Sequence, residues 1–162
     1  MKKYWLMKTE PSVFSFNDLT KAPGRKTPWE GVRNYQARNL MRDQIKCGDE
    51  VLIYHSNTEA AGVYGVAEVV KESTPDTSAM NPKSPYADPQ AIQKGSNPWV
   101  LVEVKATAHL KSPVTRDIMR DSPDLKEMMV LKKGARLSVQ PVSPEEFRTI
   151  CKLGGIEKIR QG

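Results

Sequence analysis

Cysteine and histidine are scarce in this chain, and that scarcity argues against most metal and redox chemistry. Two of each occur among 162 residues: Cys47, Cys151, His55 and His109. The cysteines have no metal-type spacing and make no disulfide framework, so the expectation is two reduced thiols in a cytoplasmic protein. A phosphate-loop pattern, a Rossmann glycine motif and a Gly-x-Ser-x-Gly elbow are all missing. No apolar run approaches the ~20 residues that cross a bilayer, and the opening "MKKYWLMKTEP" has no signal-peptide core. No metal, cofactor or membrane partner is expected. Carboxylates offer no catalytic pair either: Asp49 and Glu50 open a strand and should face water, while Glu68 and Glu103 stand alone. His55 and Ser56 are strand neighbours that point to opposite faces, which does not suit a nucleophile and its base. The expected role for His55 is a hydrogen-bonded ring inside or at the rim of the fold, with ligand recognition as the alternative.

What is present describes a binding protein. The length fits one domain over 1–162 with a real core. Hydrophobic residues make up 38% of the chain, and the net charge of +6 (pI ≈ 9.3) mildly favours an anionic partner. The basic residues are dispersed among acids, so charge alone also fits a solvated mixed surface.

Local patterns predict the elements. A strand is expected at 4–9, followed by a short helix capped by Ser15 with Asp18 at its third position. "KAPGRKTP" reads as a loop. Asn34 caps a helix from Tyr35 to about Lys46, with Ala37, Leu40, Met41 and Gln44 facing inward. "DEVLIYHS" and "AGVYGVAEVV" alternate as a hairpin pair, Gly65 allowing a bend or a close approach. Residues 73–98, with five prolines, are expected to form a mobile or loosely packed insert, with an ordered flap as the alternative; Met80, Tyr86 and Ile92 are its candidate anchors. A strand resumes at "WVLVEVKATAHL". Three Ser-Pro pairs, at 112, 122 and 143, signal helix starts, the last with a Ser143–Glu146 capping box. "ARLSVQPV" is expected as a strand with Leu137 and Val139 inward and Arg136, Ser138 and Gln140 outward. The sum is an α+β fold, a mostly antiparallel barrel of about five or six strands with short flanking helices.

Two places carry binding chemistry. Trp29, in the loop before a helix, and Trp99, after the insert, sit at rim positions where rings meet ligands. They are expected to line one cavity. Along the helix, Tyr35, Arg38, Asn39 and Arg42 fall on one face, a stripe suited to gripping phosphates or simply to solvation.

Taken together, "YWLMKTEPSVFSF", "WEGVRNYQARN", "VLIYHSN", "NPKSPYADP", "NPWVLVEV" and "RLSVQPVSPEEF" resemble the EVE domain family across nearly the whole chain. The resemblance implies a PUA-like barrel related to YTH domains, and a non-enzymatic reader of DNA or RNA that accepts a modified base. It implies a pocket formed by Trp29, Arg33, Asn34, His55, Ser56, Asn57, Trp99, Arg136 and Ser138. A monomer is expected, and the short stretch before the first strand differs from the basic extension of nuclear relatives, so a nuclear address is not expected. A small-metabolite pocket is the alternative, and a hydrolase or nuclease a more distant one.

Overall fold

The computed structural model describes residues 1–134 and 136–159. Among them are seven strands: β1 (Tyr4–Thr9), β2 (Lys26–Pro28), β3 (Glu50–His55), β4 (Gly62–Pro75), β5 (Val100–Thr115), β6 (Val139–Val142) and β7 (Ile156–Lys158). Five α-helices accompany them: α1 (Phe16–Lys21), α2 (Tyr35–Asp43), α3 (Pro89–Lys94), α4 (Arg116–Arg120) and α5 (Pro144–Gly154). The strands form one mixed sheet in the order β2-β5-β4-β3-β1-β6, with β7 added to β5. Every pairing is antiparallel except β1 with β3.

The sheet is the middle layer, which explains its sequence. On one face Trp5, Met7, Val51 and Ile53 pack with Phe16, Leu19, Ala37 and Met41 from α1 and α2. On the other, Leu6, Leu52 and Tyr54 pack with Met119, Phe147 and Ile150 from α4 and α5. A strand covered on both sides reads as an apolar run, as "VLIYH" does. Each such side chain contributes roughly 1.5–3 kcal/mol of burial. Gly65 serves a close approach: a methyl group there would overlap the Phe16 ring.

The expected closed barrel is not formed. The hydrogen-bonded path is open, ending at β2 and β6. β2 arises inside the segment expected as loop, because Lys26–Pro28 pairs with Glu103–Lys105 of β5 despite the flanking proline and glycine. The insert carries short regular elements. Residues 73–75 extend β4, Thr77–Met80 form a 3-10 turn and Pro89–Lys94 form α3. Ser112-Pro113 starts no helix, since β5 runs on to Thr115, whose side chain caps α4 instead. Asp49 and Gln140 are buried rather than solvent-facing. Asp49 accepts the Trp5 indole N–H at 2.9 Å and the Lys3 and Lys46 amides at 3.0 Å, so its carboxylate ties the turn before β3 to the start of β1. Gln140 donates to the Leu137 carbonyl. α2 ends at Asp43, with Ile45 rather than Gln44 buried behind it. The Ser15, Asn34 and Ser143 caps form as expected, two of them as full capping boxes. Of the segment expected as the last strand, only Val139–Val142 is strand, and Ala135 lies outside the described residues.

Candidate functional site

The two ends of the sheet path meet across a cleft of about 500 Å³. Lys8, Thr9 and Glu10 come from the carboxyl end of β1, Thr27 and Pro28 from β2, and Ser138 from the residue before β6. Trp29 to Arg33 form one wall, Val13 and Phe14 another, and Tyr86 reaches in from the insert. The size falls within the roughly 300–1,000 Å³ usual for ligand sites. Its place beside the carboxyl ends of a parallel strand pair is also where open sheets tend to bind ligands.

Aromatic surface makes one corner. The Phe14 and Trp29 rings meet edge to face, with centroids 6.5 Å apart and planes at 84°. Trp29 is 8% exposed, so it offers a strip of ring to the cleft while its body packs in the core. Its backbone N–H donates to the Val102 carbonyl at 2.7 Å and extends the β2–β5 pairing. Thr9 holds the turn opposite by donating its hydroxyl to the Phe14 carbonyl at 2.6 Å.

The Trp29–Arg33 wall is fixed by the insert. Asp76 is wholly buried; it accepts the Gly31 amide at 2.9 Å, the Arg33 guanidinium at 3.0 Å and the Ser78 amide at 3.0 Å. Burial pushes its carboxyl upward, but the bonds from Ser78, Gly31 and Arg33 overcome this and hold it below its ordinary value. Arg33 donates all five of its N–H groups internally. Nε and one NH2 hydrogen go to the Tyr86 carbonyl, NH1 goes to Asp76 and the Val32 carbonyl, and the last is a weak 3.4 Å contact to Ser78. Its guanidinium also lies over the Trp99 ring, 5.6 Å from the centroid. Gly31 has φ +87°, and a Cβ there would come within 2.6 Å of the Tyr86 ring, so only glycine lets the insert sit this closely.

The EVE domain matches residues 3–153 of the sequence. This chain belongs to the EVE domain family. It is 37% identical over 172 residues to human thymocyte nuclear protein 1, covering 94% of this chain and 74% of that one. An uncharacterized protein of Schizosaccharomyces pombe is 39% identical, covering 94% and 68%. Among solved structures, a hypothetical protein from Leishmania major superposes with a TM-score of 0.87 at 43% identity, over 95% of each chain. The human THYN1 protein, crystallised in complex with DNA containing 5-methylcytosine, superposes with a TM-score of 0.86 at 34% identity, over 96% of this chain and 99% of that one.

The residues expected to form the site of this EVE domain divide into two groups. Trp29, Arg33 and Ser138 line the cleft; Asn34, His55, Ser56, Asn57, Trp99 and Arg136 do not. Trp29 and Trp99 therefore do not share one cavity. Trp99 is buried, donates its indole N–H to Asp88 at 2.7 Å and packs on Tyr35 with centroids 4.7 Å apart. It anchors the insert to α2. His55 accepts the Phe16 amide on Nε2 at 2.9 Å and stacks on Tyr64 at 4.0 Å, and burial lowers its pKa. Asn34 caps α2, the Ser56 amide donates to the Thr9 carbonyl, and Asn57 donates to Glu10. Arg136 is exposed. Along α2, Tyr35, Asn39 and Arg42 are exposed and Arg38 is half-buried. Arg38 bonds Asn39 and the Pro98 carbonyl and lies over Tyr35, while Arg42 is paired with its neighbour Asp43. Sequence reasoning missed Phe14, Glu30 and Tyr86 as cleft residues. Phe14 and Tyr86 lay inside quoted blocks, and Glu30 adjoins Trp29, yet none has a local pattern that marks a wall.

Proposed function

We propose that this EVE domain is a nucleic-acid reader that accepts a modified base, extruded from DNA, in the cleft between β1, β2 and β6. The observation that carries the reading is the cleft itself: a base-sized opening with a Phe14–Trp29 corner on a rigidly held wall. Likeness to the human THYN1 protein bound to 5-methylcytosine DNA supports DNA as the polymer and a methylated pyrimidine as the base. Extrusion costs a few kcal/mol of unstacking, and contact with aromatic rings returns roughly 1–3 kcal/mol per base.

In this reading Trp29 and Phe14 touch the base, and Ser138 and Thr9 stand near its edge. Arg33 acts as a positioning residue because its donors are all engaged in holding the wall. The outer face of α2, with Tyr35, Arg38, Asn39 and Arg42, meets the phosphates. Binding proceeds without turnover: neither histidine lines the cleft, and the Thr9 hydroxyl is committed to the Phe14 carbonyl.

The test is a titration of wild type, Trp29→Ala and Arg42→Ala against paired methylated and unmethylated oligonucleotides at several salt concentrations. Trp29→Ala should erase the preference for the methylated strand. Arg42→Ala should weaken both strands equally and make the salt slope shallower by about one phosphate contact. A wild type that binds the free modified nucleoside as tightly as any oligonucleotide, with no salt dependence, refutes the nucleic-acid reading in favour of a small-molecule pocket.

A further inference from the structure

The charged residues of the cleft differ in how far they are already committed. Four line it: Lys8, Glu10, Glu30 and Arg33. Arg33 is saturated by internal acceptors. Glu10 accepts the Asn57 side-chain amide at 3.2 Å. Lys8 alternates along β1 with Met7, so its side chain shares the far side of the strand with Leu6, where Arg116 approaches it. Glu30 has no hydrogen bond or ion pair among the described residues. It nonetheless sits on the most firmly held stretch of the wall, between Trp29, whose amide bonds Val102, and Gly31, whose amide bonds Asp76.

From this arrangement we infer that Glu30 selects the base by accepting a hydrogen bond from its exocyclic amine, so that the cleft takes an amino-bearing pyrimidine and rejects its keto counterpart. The inference rests on the cleft being the base pocket. Its chemistry is that of a carboxylate opposite a cytosine-type N4 amine, a recognised pairing. A thymine in the same pose would turn its O4 lone pairs toward the carboxylate, so selectivity has a repulsive part as well as an attractive one. Glu30 lines the cleft directly after Trp29 and is exposed to whatever enters it. Partial burial raises the Glu30 pKa and nearby Asp76 adds to the rise, while Arg33 opposes it.

The deciding comparison is 5-methylcytosine against thymine, which carry the same methyl group and differ at the C4 substituent and N3. Each is placed opposite an abasic site in otherwise identical duplexes, so that neither is held by pairing. Wild type, Glu30→Gln and Glu10→Gln are titrated against both, together with unmethylated cytosine. Wild type should favour 5-methylcytosine over thymine by about tenfold or more, the scale of one hydrogen bond to a charged group. Glu30→Gln should bring the two within about threefold, because a carboxamide can turn a donor toward O4; Glu10→Gln should keep the wild-type ratio. Retention of the full ratio by Glu30→Gln overturns the inference. So does a wild type that prefers both methylated bases equally over cytosine, an outcome that leaves the base-pocket reading standing. A wild type indifferent to all three bases overturns the base-pocket reading and the role of Glu30 with it.

Discussion

Asp76→Asn tests whether the insert and the cleft wall are one mechanical unit. The substitution keeps the size of the side chain and replaces one carboxylate oxygen with an N–H₂ group. If the carboxamide oxygen stays with Ser78, the new amide nitrogen faces the Gly31 N–H and the Arg33 guanidinium, which now meet a donor instead of an acceptor. Both bonds end on a charged carboxylate and are worth roughly 1.5–3 kcal/mol each. Asp76 is fully buried and the Arg33 side chain is 24% exposed, so solvent screens the pair little. The expected loss is about 3–6 kcal/mol, a large share of the roughly 5–15 kcal/mol that holds a domain folded. At ~2–4 °C per kcal/mol, Tm should fall by roughly 6–24 °C. Calorimetry gives the global figure, and amide exchange locates it: protection should drop at Gly31 and over residues 76–98 before the β3–β4 pairing opens. Affinity for methylated DNA should fall too, although Asp76 touches no ligand. A Tm within 1 °C of wild type, with exchange at Gly31 unchanged, refutes the idea that Asp76 ties wall to insert.

Two further outcomes follow from Gly31 and His55. Gly31→Ala places a Cβ against the Tyr86 ring at a positive φ, so it should cost roughly 1–3 kcal/mol and weaken DNA binding, read by denaturant titration and binding together. Normal stability and affinity would mean that Tyr86 yields without cost. The His55 ring accepts the Phe16 amide on Nε2 and so carries its proton on Nδ1, and its pKa is depressed in the folded state. A depressed value means that the stabilisation is full above the ordinary value near 6.5 and is lost as pH falls toward the folded value. Tm measured from pH 8 to pH 5 should therefore drop more steeply for wild type than for His55→Gln; parallel curves would refute the assignment.

Much of the scaffold was legible because its signals are local. The Ser15, Asn34 and Ser143 caps act over three residues, and β3 and β4 alternate with period two. β2 was hidden because Lys-Thr-Pro is strand only through β5, some 77 residues away in register, and proline tolerates such an edge. The insert misled for a related reason. Its prolines do exclude long strands, but its order comes from Asp76 reaching Gly31 and Arg33 and from Asp88 reaching Trp99. Arg33 and Trp99 were singled out as pocket residues, but the acceptors that hold them, Asp76 and Asp88, were not visible as such in the sequence. The cleft was legible at Trp29 from its place before a helix and at Arg33 and Ser138 only through the family resemblance, since its walls come from four separated stretches.

That separation has a kinetic meaning. The β1–β6 pairing joins Tyr4–Met7 to Val139–Val142, and the cleft needs the ends of β1, β2 and β6 at once. Long loops must close before any wall meets another, which is the slow kind of topology to assemble. A partly folded chain, with the β3–β4 hairpin made but its outer strands loose, has no cleft to offer. Any ligand of this cleft therefore binds the finished fold alone, and it stabilises that fold by about 2.7 kcal/mol at a hundredfold excess over Kd. Occupancy and completion of folding become a single measurement, so a thermal-shift screen reports on both.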